Sequence, residues 1–241
     1  MFSTFSFPQD DSGPRYLEVI STIKLLLKRT PLYGIVSRLR RRKEKRQFRA
    51  RQEAEIREWE ALGKPNPPPH IVKQRTVEHY GKTFSLRVLI ETGTYQGDMV
   101  EAMKDIFDKI ISIELKRELY ERATKRFKTN GHISIILGDS GKVLRDVLVE
   151  IDEPCLFWLD GHYSAGITAK EEVDTPIRKE LDHILNHPVA GHVILIDDAR
   201  LFVGVNHYPR IEELKDILLT SHPDWILDVE HDIIRIHQKT Y

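Results

Sequence analysis

The sequence predicts an α/β protein: a mostly parallel sheet with helices on both faces, a C-terminal β-hairpin and a helical N-terminal extension. Three observations predict it. Apolar runs such as Val193-Ile194-Leu195-Ile196 are continuous rather than alternating, as in strands buried on both faces. From residue 87 onward such runs alternate with segments of helical period. Charge divides the chain: residues 1–78 hold 17 Lys+Arg and 9 Asp+Glu, leaving 20 and 28 of the 37 of each for the rest.

Residues 1–14 are rich in Ser, Pro, Asp and Gly and are expected to be poorly ordered. They lack a basic start followed by a long apolar core, so no secretory signal is read there. Tyr16 to Leu27 carries Leu17, Ile20, Ile23, Leu26 and Leu27 at helical spacing until Pro31 interrupts it. Leu32 to Trp59 reads as a long polar helix, within which Arg38 to Arg51 holds nine basic residues and one acidic one. Such a helix is solvated, packs on a partner chain, or lies on an anionic membrane surface with its arginines on head groups. A nucleic-acid contact is disfavoured because few aromatics interleave the charges. Gly63 to Pro69 is a stiff Pro-rich linker. The domains are therefore expected to be 1–69, a basic helical extension with its linker, and 70–241, the α/β domain.

His70 to Tyr80 resumes a helical pattern and leads to the first strand, Arg87–Gly93. Helix Asp98–Phe107 follows, then strand Lys109–Leu115, helix Arg117–Lys128, strand Ile133–Gly138 and helix Gly141–Ile151. Strand Pro154–Leu159 opens a long loop, Gly161 to Thr175, that returns in helix Val173–Asn186. Strand His192–Ile196 and helix Ile211–Leu219 precede a hairpin, Trp225–Glu230 and Ile233–His237, about His231-Asp232. The histidines at 183, 187 and 222 have no ligand-like spacing and are read as surface residues. The single cysteine, Cys155, excludes a disulfide framework and reads as core, which fits a reducing compartment. No apolar stretch approaches the roughly 20 residues that span a bilayer. A cytoplasmic protein is expected, peripheral at the membrane if the basic helix docks there.

The carboxyl ends of the parallel strands carry the functional signal. They end in Glu91, Glu114, Asp139, Asp160 and Asp197, so every parallel strand delivers an acid to one edge, where α/β sheets bind ligands. After the first strand comes Glu91-Thr92-Gly93-Thr94-Tyr95-Gln96-Gly97, a glycine turn opening a helix. Glycine allows close backbone approach, and a helix N-terminus offers free N–H groups.

On these motifs residues 70–241 resemble the class I S-adenosylmethionine-dependent methyltransferases, a Rossmann-like family whose seven-stranded sheet ends in such a hairpin. The resemblance implies that Glu91, Gly93, Thr94, Tyr95 and Gly97 surround the methionine part of the cofactor. It implies that Glu114 holds the ribose hydroxyls, and that Asp139 and Ser140 lie by the adenine. Tyr95 departs from the family, standing where a middle glycine is usual. Asp160, Asp197 and Asp198 resemble the metal-binding acids of catechol-type O-methyltransferases, although Asp-Asn is common there at the fifth strand. This implies Mg²⁺ at Asp160, Asp197 and Asp198, with a cation that lowers the acceptor hydroxyl's pKa. The alternative is that Asp197 and Asp198 cap the following turn. Either His162 or Tyr163, two and three residues after Asp160, is placed to take the hydroxyl proton, histidine being the commoner base. The stretch Asp160 to Gly166 is similar to sugar- and macrolide-modifying methyltransferases, so a sugar, glycan or natural-product hydroxyl is the expected acceptor. Arg200, Asn206, His207 and Tyr208 either line its pocket or belong to a solvated loop.

Two other functions compete. A nicotinamide-dependent oxidoreductase shares the acid after the second strand but calls for G-x-G-x-x-G, whereas this chain has G-x-x-x-G. A non-catalytic adaptor would bind a membrane or protein partner through residues 16–60 and keep a vestigial pocket. Homo-oligomerisation is left open.

Overall fold

The computed structural model describes residues 31–160, 175–205 and 207–239. Two compact units are distinguished, one up to Glu55 and one from Ile56 onward. Helix α1, Pro31–Ala61, exposes Val36, Leu39 and Phe48. Near its end Trp59 is buried, edge-on to His231, and its indole N–H donates to the Pro65 carbonyl at 2.8 Å. That bond ties down the Pro-rich connection before α2, His70–Thr83.

The Ile56-onward unit is built on seven strands: β1 Val88–Thr92, β2 Lys109–Glu114, β3 Ile133–Leu137, β4 Cys155–Leu159, β5 Val193–Ile196, β6 Trp225–Glu230 and β7 Ile233–Gln238. Their order is β3-β2-β1-β4-β5-β7-β6. The first five are parallel, and β7 runs antiparallel between β5 and β6. The sheet and its terminal hairpin are as the sequence predicts. His231 and Asp232 both have positive φ, as a tight hairpin turn matched to strand twist requires.

Period-two alternation sorts the strand residues into two cores. Ile90, Ile113, Phe157, Leu159 and Ile194 pack with α5 (Ser140–Val149), α6 (Ile177–Leu185) and α7 (Ile211–Ser221). Leu89, Ile110, Leu156, Trp158 and Leu195 pack with α2, α3 (Asp98–Met103) and α4 (Arg117–Phe127). Burial on both faces explains the unbroken apolar runs.

Two helices are shorter than their apolar pattern suggests. Helix α3 ends at Met103, and Ile106 and Phe107 reach the core from a turn held by their N–H groups on the Met103 carbonyl. Helix α6 begins after Pro176, since a proline disfavours helical geometry in the residue before it, here Thr175; Val173 lies outside the described residues. Cys155 is buried in the core, and burial pushes its thiol up to about 12, which makes it inert. The surface reading of two histidines is corrected. His183 bonds the Gly141 carbonyl at 3.1 Å. His187 bonds the Leu148 carbonyl at 3.0 Å and buried His192 at 2.9 Å.

Candidate active site

Strand order reverses between β1 and β4, which opens a crevice at their carboxyl ends. Glu91, near the end of β1, is fully enclosed and accepts a hydrogen bond from the Ser112 hydroxyl on β2. Ser112 Oγ in turn lies 2.6 Å from Thr94 Oγ1. Burial, with smaller contributions from the charges of Asp160 and Glu114, raises the Glu91 pKa to about 8 against the pull of Ser112. Burial therefore favours the protonated form of Glu91.

The glycine turn is folded over this acid. Gly93 N–H donates to the Ile113 carbonyl at 2.9 Å, and Gly97 N–H to the Thr94 carbonyl at 2.8 Å. Gly97 has φ 76, and a Cβ there would lie 2.8 Å from the Phe127 ring, so only glycine fits. Tyr95 also has positive φ, 48, with a side chain 67% exposed. It keeps the left-handed geometry that glycine adopts freely while leaving its ring outside the core.

Glu114 does more than the sequence suggests. Its Oε2 accepts the Tyr95 N–H at 2.8 Å and its Oε1 accepts the Lys116 N–H at 2.8 Å. It therefore braces the turn from the neighbouring strand, with lone pairs left for vicinal hydroxyls. Asp139 caps α5 through a 3.0 Å bond from Gly141 N–H and lies 3.4 Å from the Lys142 ammonium; Ser140 is buried beside it. Glu91, Gly93, Thr94, Tyr95, Gly97 and Glu114 thus form one connected arrangement, with Asp139 and Ser140 at the head of α5 after β3.

The strand-four and strand-five acids meet a different partner from the one expected. Asp160 N–H donates to the Thr92 carbonyl at 3.0 Å, and Asp197 N–H to the Leu159 carbonyl at 3.0 Å, so adjacent strand ends carry them together. Lys73, on α2, donates from its ammonium to Asp197 Oδ2 and lies 3.7 Å from Asp198 Oδ1. Arg200 takes Asp198 Oδ1 at 2.6 Å and also binds the Asp232 carboxylate. Burial and the Asp160 charge raise the Asp197 pKa, and Lys73 opposes them. Burial alone would lower Lys73, but Asp197, Asp198 and Asp160 outweigh it and keep it protonated. The arrangement does not fit the expected Mg²⁺ at Asp160, Asp197 and Asp198, because a lysine ammonium already sits on the carboxylates such an ion would need. Among the described residues no group of three or more His, Cys, Asp or Glu side chains is arranged to hold a metal.

His162, Tyr163 and Asn206 lie outside the described residues. Arg200 ties the β5 end to the hairpin turn through Asp198 and Asp232. Its backbone N–H also reaches Asp232 Oδ1, at 2.8 Å. Tyr208 does line a small cavity, with Thr175, Glu180, Asp197, Phe202 and Leu159. Exposed His207 has φ 64.

Sequence reasoning missed Lys73 and Glu180. Lys73 stands 124 residues from Asp197, and no local pattern links them. Glu180 left a signal: it falls in the apolar register Ile177, Leu181, Ile184 of α6, where an acid has to be buried. It is 0% exposed, burial raises its pKa to about 7, and among the described residues neither of its carboxyl oxygens has a hydrogen-bond partner.

No family model matches the chain. The O-methyltransferase TomG from Streptomyces achromogenes, involved in tomaymycin synthesis and solved with S-adenosylmethionine, superposes with a TM-score of 0.54 at 14% identity, over 79% of this chain and 89% of that one. The O-methyltransferase from Bacillus cereus, solved with S-adenosylhomocysteine, superposes with a TM-score of 0.52 at 13% identity, over 78% and 90%. The chain therefore has the class I S-adenosylmethionine-dependent methyltransferase fold. A curated relative, the probable ribosomal RNA small subunit methyltransferase A of Methanospirillum hungatei, is 26% identical over 146 residues, 56% of this chain. The chain spans about half the length of that relative, 53%. Among the described residues no helix is long and apolar enough to cross a membrane.

Proposed function

We propose that the protein is an S-adenosylmethionine-dependent methyltransferase that acts on a hydroxyl of a sugar, glycan or natural-product acceptor. The observation that carries this is the glycine turn held between two carboxylates, Glu91 through Ser112 and Thr94, and Glu114 through the Tyr95 amide. Glu91 would face the cofactor's cationic methionine end and ionise there. Glu114 would take the ribose hydroxyls, with Asp139 and Ser140 by the adenine. When bound, the cofactor supplies an electrophilic methyl group. The chain's task is then to hold an acceptor oxygen in line with that methyl and to remove its proton. His162 or Tyr163 would take the proton, and Asp160 would orient the acceptor. Hydroxyl transfer is favoured because both solved neighbours are named as O-methyltransferases.

Residues 70–241 would form the catalytic domain. Residues 1–69 would be an extension whose basic helix docks on an anionic membrane surface or a protein partner. One observation favours a second reading. The curated relative is named for ribosomal RNA, and α1 carries nine basic residues within Arg38–Arg51, a phosphate-binding charge density.

Calorimetric titration of the full-length protein with S-adenosylhomocysteine and with NADH tests the core of the proposal. Saturable binding of the first alone is expected; binding of NADH alone, or of neither, overturns it. Incubation with methyl-labelled cofactor and either a metabolite extract or RNA then separates the two acceptors.

A further inference from the structure

We propose that Lys73 is the resident cation of the acceptor edge, its ammonium paired with Asp197 and Asp198 at the end of β5, in the place where the resemblance implies a divalent ion. Three buried or half-buried carboxylates at adjoining strand ends repel one another unless positive charge lies between them. The chain supplies that charge itself. Lys73 Nζ donates to Asp197 Oδ2, lies 3.7 Å from Asp198 Oδ1, and feels the charge of Asp160. Its side chain is only 14% exposed, so the ion pair is shielded from bulk water.

The placement is built in. Helix α2 buries Val72, Thr76 and Val77, which seats the segment carrying Lys73 in the fold. The apolar stem of the lysine then spans the gap to the strand ends, with the charged head at its tip. On the other side Arg200 closes Asp198 Oδ1 at 2.6 Å and is itself held by Asp232. A divalent ion entering this cluster would have to displace one cation and lie against another, so the arrangement selects against it. An ammonium has three donors, and those not used on Asp197 are available to an acceptor oxygen. Oxygen would then be oriented by hydrogen bonding rather than by Lewis-acid coordination. The inference rests on the methyl-transfer reading only in naming this edge as the acceptor's.

The test is Mn²⁺ binding by the full-length protein, followed through the paramagnetic resonance of free Mn²⁺. Wild type is expected to show no saturable site in the millimolar range. Lys73→Met keeps the stem and removes the charge, and it should gain a stoichiometric site at least about tenfold tighter than any binding by wild type. Lys73→Ala should behave alike, and Lys73→Met/Asp197→Asn should lose the site. A saturable wild-type site that Asp197→Asn abolishes overturns the proposal, as does a folded Lys73→Met that binds Mn²⁺ no better than wild type. Titrating the same samples with S-adenosylhomocysteine keeps the questions apart. Cofactor binding with no metal response in Lys73→Met overturns the lysine assignment alone. Absence of cofactor binding by wild type overturns the methyltransferase reading, and the Mn²⁺ result still decides the lysine.

Discussion

Glu114 accepts the backbone N–H of Tyr95 at 2.8 Å, so a carboxylate at the end of β2 holds the turn that follows β1. The same side chain takes the Lys116 N–H with its other oxygen. The turn geometry therefore depends on a residue proposed to hold the ribose hydroxyls. Its bond to the Tyr95 amide helps keep that tyrosine at φ 48.

Glu114→Ala is accordingly expected to weaken S-adenosylhomocysteine binding by about 1–3 kcal/mol and to lower thermal stability as well, since two amides lose their acceptor. Glu114→Gln retains one carbonyl acceptor and should fall between. Calorimetry and melting curves on the same samples check both. An unchanged dissociation constant in Glu114→Ala would remove this residue from the cofactor site.

Gly97→Ala tests the turn from the other end. Positive φ and the 2.8 Å approach to Phe127 both oppose a Cβ. A loss of about 1–3 kcal/mol is expected, seen as a melting point several degrees lower. A melting point equal to wild type would mean that the turn relaxes without cost.

The fold was legible because burial on both faces writes strands as unbroken apolar runs, and the hairpin because His231-Asp232 interrupts two such runs. The acids were legible for a similar reason, since each closes a strand and parallel strands share an edge. Lys73 was not, because the helix that carries it gives no sign of which strand end it will meet. The partner of Arg200 was hidden for the complementary reason: Asp232 lies 32 residues on, in a turn whose position only the folded sheet defines. Glu180 was readable as an acid in an apolar register, but what faces it depends on the packing of α6 against the sheet.

His192 sets one limb of the acid response. Its Nδ1 accepts the Cys155 N–H at 3.0 Å, and burial, with His187 beside it, lowers its pKa to about 4. Between pH 6.5 and 4 the unfolded chain binds a proton that the folded chain refuses, so this contribution to stability is lost as pH falls through that window. The loss amounts to about 3 kcal/mol at most. His192→Leu should remove this limb while lowering stability at pH 7, because the Cys155 amide is left without an acceptor. Urea unfolding between pH 4 and 7 measures both; an unaltered slope would show that His192 does not titrate in isolation.

Glu180 works in the opposite sense. Its carboxyl is fully buried, and burial raises its pKa to about 7. Above pH 4.5 the unfolded chain gives up this proton while the folded chain keeps it. The unfolded state then binds fewer protons, and stability falls as pH rises from 4.5 through 7 before levelling off. The full cost approaches about 3 kcal/mol, because the group has no exposure through which solvent could screen it. Glu180→Gln keeps the shape and cannot ionise. Unfolding curves of wild type and Glu180→Gln, both without cofactor, should therefore diverge with rising pH, the variant becoming the relatively more stable by pH 8. Glu91, raised to about 8, contributes a slope of the same sign to both proteins and cancels in the difference. Parallel curves from pH 5 to 8 would mean that Glu180 is ionised in the folded protein at neutral pH. Its charge would then be balanced within the cavity it shares with Tyr208 and Asp197.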